Sequence, residues 1–272
     1  MFQQIKKKIR SITGLTNAQQ QISSITPEWG VVHSGPAEGV NIYISSKWKE
    51  MLTGEYDRFL FEAITRSGFD LTGSIIWDVG AHIGYHTLAF SRLSGPKGKV
   101  FAFEPNPYNL ERLRANIKRN PQIAENIKTF EIALSDADGK HEFKINSNVD
   151  NSKSSGSYLD YGSTPSDRYS AEVFNDFQIK LVQVNRADTL IATGILPAPN
   201  FIKLDIEGAE VRFLKGAIHI LESSKPHIAI EVHNIQNMFH ISELLHQYEY
   251  KPILLDDKFQ SSSRCYILAI PR

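Results

Sequence analysis

The chain has 272 residues, 41% apolar and 22% charged, enough for one large domain with a well-buried core or for a domain plus a small appendage. Thirty basic residues balance thirty acidic ones, so no global field favours nucleic acid or an anionic membrane. The single cysteine, Cys265, excludes an intramolecular disulfide and a cysteine-rich zinc site, and fits a reducing compartment.

The first stretch, "MFQQIKKKIRSITG", is basic but lacks the uninterrupted apolar core of a secretory signal. Phe2, Ile5, Ile9 and Ile12 fall at helical spacing beside Lys6, Lys7, Lys8 and Arg10. That pattern suits a short helix that docks on its own domain or frays, with a membrane-surface helix as the alternative. No segment approaches the roughly 20 apolar residues that span a bilayer, and a cytoplasmic location is the working expectation. "VNIYIS" then reads as a strand and "EYDRFLFEAITRSG" as a helix ending near Gly68, so residues 1–70 form a cap on a main domain of residues 71–272.

From residue 74 onward, short apolar runs alternate with helical patterns. "SIIWDV" is a strand, and "YHTLAFSRLSG" is a helix closing on Gly95. "KVFAFE" is a second strand, and "NPYNLERLRANIKRN" a helix that Asn106 caps and Pro107 opens. "IKTFEIAL" is a third strand. Residues 139–185 interrupt the alternation: "KHEFKI" and "IKLVQV" alternate like a hairpin pair around a polar run from Asn146 to Ser170, either a lid or a disordered loop. "FIKLD" and "HIAIEV" are the fourth and fifth strands, with "AEVRFLKGAIHILES" and "HISELLHQY" as helices. The expected fold class is α/β: a mostly parallel sheet with helices on both faces.

The glycine turn in "IIWDVGAHIGYHTLAF" carries the first chemical signal. A dinucleotide turn uses three glycines, the middle one letting the backbone approach a pyrophosphate. This chain keeps Gly80 and Gly84 but places Ala81, His82 and Ile83 between them, which would crowd a pyrophosphate. Glu104, at the end of the second strand, can accept hydrogen bonds from both hydroxyls of a ribose. A ligand with adenosine and no phosphate meets both conditions, and S-adenosylmethionine is the common one. Asp78 would bind or orient its ammonium group, and Tyr85 is a cation–π neighbour for the sulfonium. His82 lines the edge of that site or packs at the helix start, and Asn106 is a further candidate for the cofactor site. Asp136, in "IALSD", is a candidate for the adenine amino group or a plain turn residue.

"FIKLDIEGAEVRFLKGA" places Asp205, Glu207 and Glu210 at the carboxyl end of the fourth strand, where ligands of open α/β sheets bind. First-turn acids also complement a helix dipole, which accounts for Glu210 better than for Asp205. In "IAIEVHN", alternation puts Glu231 and His233 on one side of the chain. His233 is the first candidate for a general base and Asp205 the second. Asp205, Glu207 and Glu231 could together hold Mg²⁺.

These residues make the chain resemble the FkbM-type family of S-adenosylmethionine-dependent methyltransferases. The resemblance runs from about Gly54 to Gly216, and more loosely to His233. It rests on "GEY" at 54–56, "DVGAHIGYHT", "VFAFEPNPYNLERLRANI", "IALSD" and above all "FIKLDIEGAE". It implies a Rossmann-like class I methyltransferase fold and O-methylation, often of sugar hydroxyls on glycans or natural products. It also places Asp78, Gly80 and Glu104 in the cofactor site, and Asp205, Glu207, Glu231 and His233 near the acceptor. The family usually has Asn where this chain has His82. The competing readings are the same fold methylating nitrogen, and a module that binds the cofactor without catalysis. Nucleic acid is disfavoured as substrate by the lack of a concentrated basic stripe.

Overall fold

A computed structural model of the chain describes residues 28–44, 48–146, 157–159, 177–255 and 264–272. The expected N-terminal helix and most of the 146–170 loop lie outside the described residues.

The chain opens with an antiparallel pair, β1 (Glu28–Val31) and β2 (Asn41–Ile44), then α1 (Lys49–Thr53) and α2 (Arg58–Arg66). The alternation begins with β3 (Ile75–Val79), α3 (Tyr85–Ser94), β4 (Lys99–Phe103), α4 (Pro107–Lys118) and a short α5 (Pro121–Ala124). The expected third strand divides into β5 (Ile127–Phe130), which joins β4, and β6 (Ala133–Leu134), which joins the insertion. The insertion consists of β7 (Gly139–Asn146), β8 (Tyr158–Leu159) and β9 (Phe177–Asn185). After α6 (Ala187–Ala192) come β10 (Phe201–Leu204), α7 (Glu210–Lys215), a π turn at Ile220–Ser224, β11 (His227–Val232), α8 (Ile235–Gln247), β12 (Tyr250–Leu255) and β13 (Cys265–Pro271).

The main sheet has seven strands in the order β12-β13-β11-β10-β3-β4-β5. Neighbours from β11 to β5 pair in parallel, and β13 alone runs against its two neighbours. Strand order reverses between β3 and β10, so the crevice where the fold binds ligands opens at the carboxyl ends of these two strands. The central strands are apolar on both faces because both are covered. One face packs on β2, α1, α2 and α3, through residues such as Ile42, Met51, Leu60 and Phe90. The other packs on α6, α7 and α8, through Trp77, Phe213, Ile241 and Leu245. The described part of the N-terminal segment therefore shares a core with the sheet.

One predicted helix and one unassigned segment also differ from the sequence reading. The run from Ala209 to Ser224 divides at Gly216, which caps α7 and passes so close to the Ser135 carbonyl that a Cβ there would collide with it. Residues 250–271 carried no assignment from sequence, yet they supply two strands. Pro252 argues against a central strand, and β12 accommodates it by lying at the sheet edge. The hairpin expected at 139–185 is present, with β7 and β9 paired antiparallel from Gly139↔Val184 to Asn146↔Phe177. It closes a small core of Ala133, Phe143, Ile145, Leu159, Val182 and Val184.

Two side-chain amides, Asn116 of α4 and Asn120 just after it, bond the backbone of β2 as a neighbouring strand would. Asn120 Oδ1 accepts from the Asn41 amide at 2.8 Å and its Nδ2 donates to the Asn41 carbonyl at 2.7 Å. Asn116 Oδ1 accepts from the Tyr43 amide at 2.8 Å, while its Nδ2 donates to the Ile83 carbonyl in the glycine turn at 2.8 Å. Asn116 is fully buried. Asn116→Ala should therefore strand one half-buried donor and one buried acceptor, costing about 2–4 kcal/mol in urea unfolding. A cost under about 0.5 kcal/mol, the level of an ordinary surface change, would show that water replaces the amide there.

Candidate active site

The turn after β3 is left-handed three times, at Gly80 (φ +83°), His82 (φ +51°) and Gly84 (φ +94°). A Cβ at Gly80 would run into the Asp205 carbonyl, and one at Gly84 into Leu113 of α4. These glycines let the turn nest between β10 and α4. Asn, Asp and His are the side-chain-bearing residues most enriched at positive φ, so a site that usually carries Asn accepts His82 through its backbone. The His82 amide donates to Glu104 Oε2 at 2.7 Å, and the Asn106 amide donates to Oε1 at 2.9 Å. Glu104 is 5% exposed. Burial pushes its carboxyl up to about 7, against the amides of Asn106 and His82. Its oxygens keep lone pairs for further donors, since a carboxylate offers about four.

Enclosure lowers the His82 imidazole to about 4, so it is neutral at pH 7. Its ring stands edge-on to Trp48 at 6.1 Å. His82→Asn keeps the left-handed backbone and the amide donated to Glu104, and cofactor affinity by calorimetry should stay within a few-fold. A loss on the order of a hundredfold, about 2.7 kcal/mol, would mean that the ring itself binds.

The turn, Glu104 and the second strand-end cluster border one cleft of about 270 Å³. Gly80, His82, Tyr85, Glu104, Asp205, Glu207, Glu231 and His233 all line it. Asp78, Gly84, Asn106 and Asp136 do not. Asp78 is buried behind the turn, where its Oδ2 accepts from Thr87 Oγ1 at 2.6 Å. Asn106 caps α4, its Oδ1 accepting from the Tyr108 amide. Asp136 pairs with Arg212 at 3.0 Å, and the neighbouring Ile132, Ala133 and Leu134 reach the cleft instead. With Phe143 and Leu159 from the insertion they make an apolar wall next to Glu104. Trp48, Met51 and Tyr56 contribute a side from the N-terminal segment. Tyr56 meets Tyr85 edge-on at 5.2 Å.

At the opposite end, His233 is surrounded by acids. Its Nδ1 lies 2.7 Å from Glu210 Oε1. Its Nε2 lies 3.5 Å from Asp205, 3.6 Å from Glu207 and 3.8 Å from Glu231. Burial pulls the imidazole down, but Glu207 and Glu210, then Glu231, outweigh it and hold it well above the usual histidine range. These acids favour its protonated form, with Nδ1 bonded to Glu210 and Nε2 facing the other three carboxylates. Burial also pushes Asp205 up, and here Lys203 and then His233 prevail, leaving it below the usual carboxylate range. Glu231 goes the other way. Burial and then Asp205 push it up to about 7, against His233 and Arg264.

Lys203 and Arg264 escaped the sequence reading. Arg264 Nη1 lies 2.6 Å from Glu231 Oε1, and nothing in its local sequence marks it. Lys203 did carry a signal, being a charge inside the apolar run "FIKL", since lysine is almost never fully buried unless paired. The three carboxylates expected to gather for Mg²⁺ do not form the tightest group. Among the described residues, the metal-type donors within 4.8 Å of one another belong to Asp205, Glu231 and His233. Lys203 and Arg264 border that group, contacting Asp205 and Glu231 respectively.

A family model for the methyltransferase FkbM domain matches residues 78–252. The chain is 30% identical over 159 residues to the hexuronic acid methyltransferase AglP of Haloferax volcanii, covering 58% of this chain and 56% of that protein. It is 26% identical over 155 residues to the 2-O-methyltransferase NoeI of Sinorhizobium fredii, covering 56% and 60%. The chain thus spans little more than half the length of these relatives. The solved structure of a methyltransferase FkbM from Methylobacillus flagellatus KT shares the fold, with a TM-score of 0.52 and 22% identity over 75% of this chain and 46% of that one. No described helix is long and apolar enough to cross a membrane. On its sequence match and its Rossmann-like sheet, this chain belongs to the FkbM-domain methyltransferases.

Proposed function

We propose that the chain is an S-adenosylmethionine-dependent methyltransferase that methylates a hydroxyl of a sugar or glycan. One observation carries the reading: a single cleft joins a carboxylate suited to a ribose diol with a group of acids at the next two strand ends. The relatives named for hexuronic acid and 2-O methylation support the acceptor class.

The residues present fit the cofactor. Glu104 would take the ribose hydroxyls, Ile132, Leu134, Phe143 and Leu159 the adenine, and the Gly80 turn the amino-acid portion. When bound, S-adenosylmethionine supplies an electrophilic methyl group on a sulfonium. The protein's part is then to position an alcohol and remove its proton. Glu231 is the base in this account, because it lines the cleft and its carboxyl is poised near neutral pH. His233, the first choice from sequence, is already protonated and serves to fix the acids around it. Asp205 stays ionised and orients the hydroxyl.

S-adenosylhomocysteine production in the presence of neutral and uronic sugar acceptors tests the reading. Product with none of a broad panel, from a protein that binds the cofactor, would favour a non-catalytic module. Activity should also survive exhaustive chelation with EDTA, since Lys203, His233 and Arg264 supply the local positive charge. Loss with EDTA and recovery on adding Mg²⁺ would restore the metal reading.

A further inference from the structure

Lys203 sits on β10 between Ile202 and Leu204, and is 5% exposed. The parallel register sets it directly opposite Asp78 on β3. Asp205 follows two residues later on the same strand side. Three oxygens surround the ammonium: the Gly80 carbonyl at 2.8 Å, Asp78 Oδ1 at 3.3 Å and Asp205 Oδ2 at 3.3 Å. Gly80 belongs to the turn that would hold the cofactor, Asp78 to the strand leading into it, and Asp205 to the acceptor end. The two ends also touch through the backbone, where the Asp205 amide donates to the Val79 carbonyl at 3.1 Å.

We propose that Lys203 is the positioning residue of this site, one ammonium that fixes the glycine turn and Asp205 at a set separation. The inference rests on the methyltransferase reading for its catalytic half only. Its physical basis is the cost of a buried charge. A lysine in a central parallel strand loses its hydration and is kept only where partners replace it. A counter-ion for one acid needs one contact, whereas Lys203 reaches a backbone carbonyl and two acids from different strands. The carbonyl contact is the telling one. It neutralises nothing, yet it holds the atom next to which the cofactor's amino-acid portion would lie. In-line methyl transfer depends on the distance between donor and acceptor, and Lys203 spans the two sides that set it.

The test uses Lys203→Ala in the full chain, with n-propylammonium added to refill the truncated space and n-propanol as the uncharged control. S-adenosylhomocysteine affinity is read by calorimetry, which needs no acceptor, and kcat is read with whichever sugar the wild type accepts. Affinity should fall about tenfold and kcat on the order of a hundredfold, the scale expected when a buried ion pair loses one member. n-Propylammonium should recover part of both losses, and n-propanol neither. Affinity and kcat within twofold of wild type, or equal recovery with n-propanol, would overturn the proposal. If affinity behaves as expected but the wild type turns over no acceptor, the sugar reading fails while the hold of Lys203 on the turn stands. Should Lys203→Ala not give a cooperative melt, Lys203→Met with Asp78→Asn removes one charge of each sign. It carries the same two readouts against Asp78→Asn alone, and equal values in the pair would overturn the proposal.

Discussion

Glu231→Gln is expected to lower kcat on the order of a thousandfold, within the range for loss of a general base, while S-adenosylhomocysteine affinity stays within a few-fold. Glutamine keeps an oxygen for Arg264, which lies 2.6 Å from Glu231 Oε1, so the local packing survives and only the proton acceptor is lost. The pH dependence follows from the same environment. Glu231 must be ionised to accept a proton, and its carboxyl is held up at about 7. The wild-type kcat should therefore rise with pH through the neutral range. Asp205 contributes to that upward push, second to burial. Neutralising it in Asp205→Asn should lower the Glu231 pKa and move the rising limb to lower pH, whatever it does to the maximum. A Glu231→Gln enzyme with kcat within fivefold of wild type would return the role to Asp205 or His233.

The second large effect concerns Glu104. Glu104→Ala should weaken cofactor binding about a hundredfold or more, since hydrogen bonds to a charged group contribute about 1.5–3 kcal/mol each and a ribose diol makes two. The variant also frees the amides of His82 and Asn106, which both donate to this carboxylate, so the turn should loosen. Calorimetry with S-adenosylhomocysteine measures the first effect and thermal melting without ligand the second. Binding within threefold of wild type would mean that the carboxylate supports the turn and does not read the ribose.

Much of this layout was legible from the residue pattern. β3, β4, β10 and β11 are buried on both faces, so they read as continuous apolar runs, and polar residues at their ends stand out. Glu104, Asp205, Glu231 and His233 were found in this way, and all four line the cleft. Asp78 looked equivalent but ends up fully buried, since it lies one residue inside the strand's last position and its partners come from α3 and β10. Asp136, read as an adenine ligand or a plain turn residue, pairs with Arg212, 76 positions later, a partner that sequence cannot show.

What sequence could not show was the charge state of His233. Its acids come from the loop after β10, the start of α7 and β11, and their convergence around one ring depends on how the strands are ordered. A lone histidine beside a glutamate reads as a base. Four carboxylates around the same ring raise its pKa well above the usual histidine range. His82 differs: it is expected only at the cofactor's edge or the helix start, and its left-handed backbone position is one that histidine tolerates.

The proposed passage of a methyl group from S-adenosylmethionine to a sugar oxygen in this cleft is tested most directly with S-adenosylmethionine carrying a ¹³C-methyl group. It is supplied with a panel of sugars and oligosaccharides, and the label is located by NMR. The expected product is one labelled methyl ether on a sugar hydroxyl, with stoichiometric S-adenosylhomocysteine, and it should be lost in Glu231→Gln. Label on nitrogen, or cofactor binding with no transfer to any sugar, would contradict the proposal.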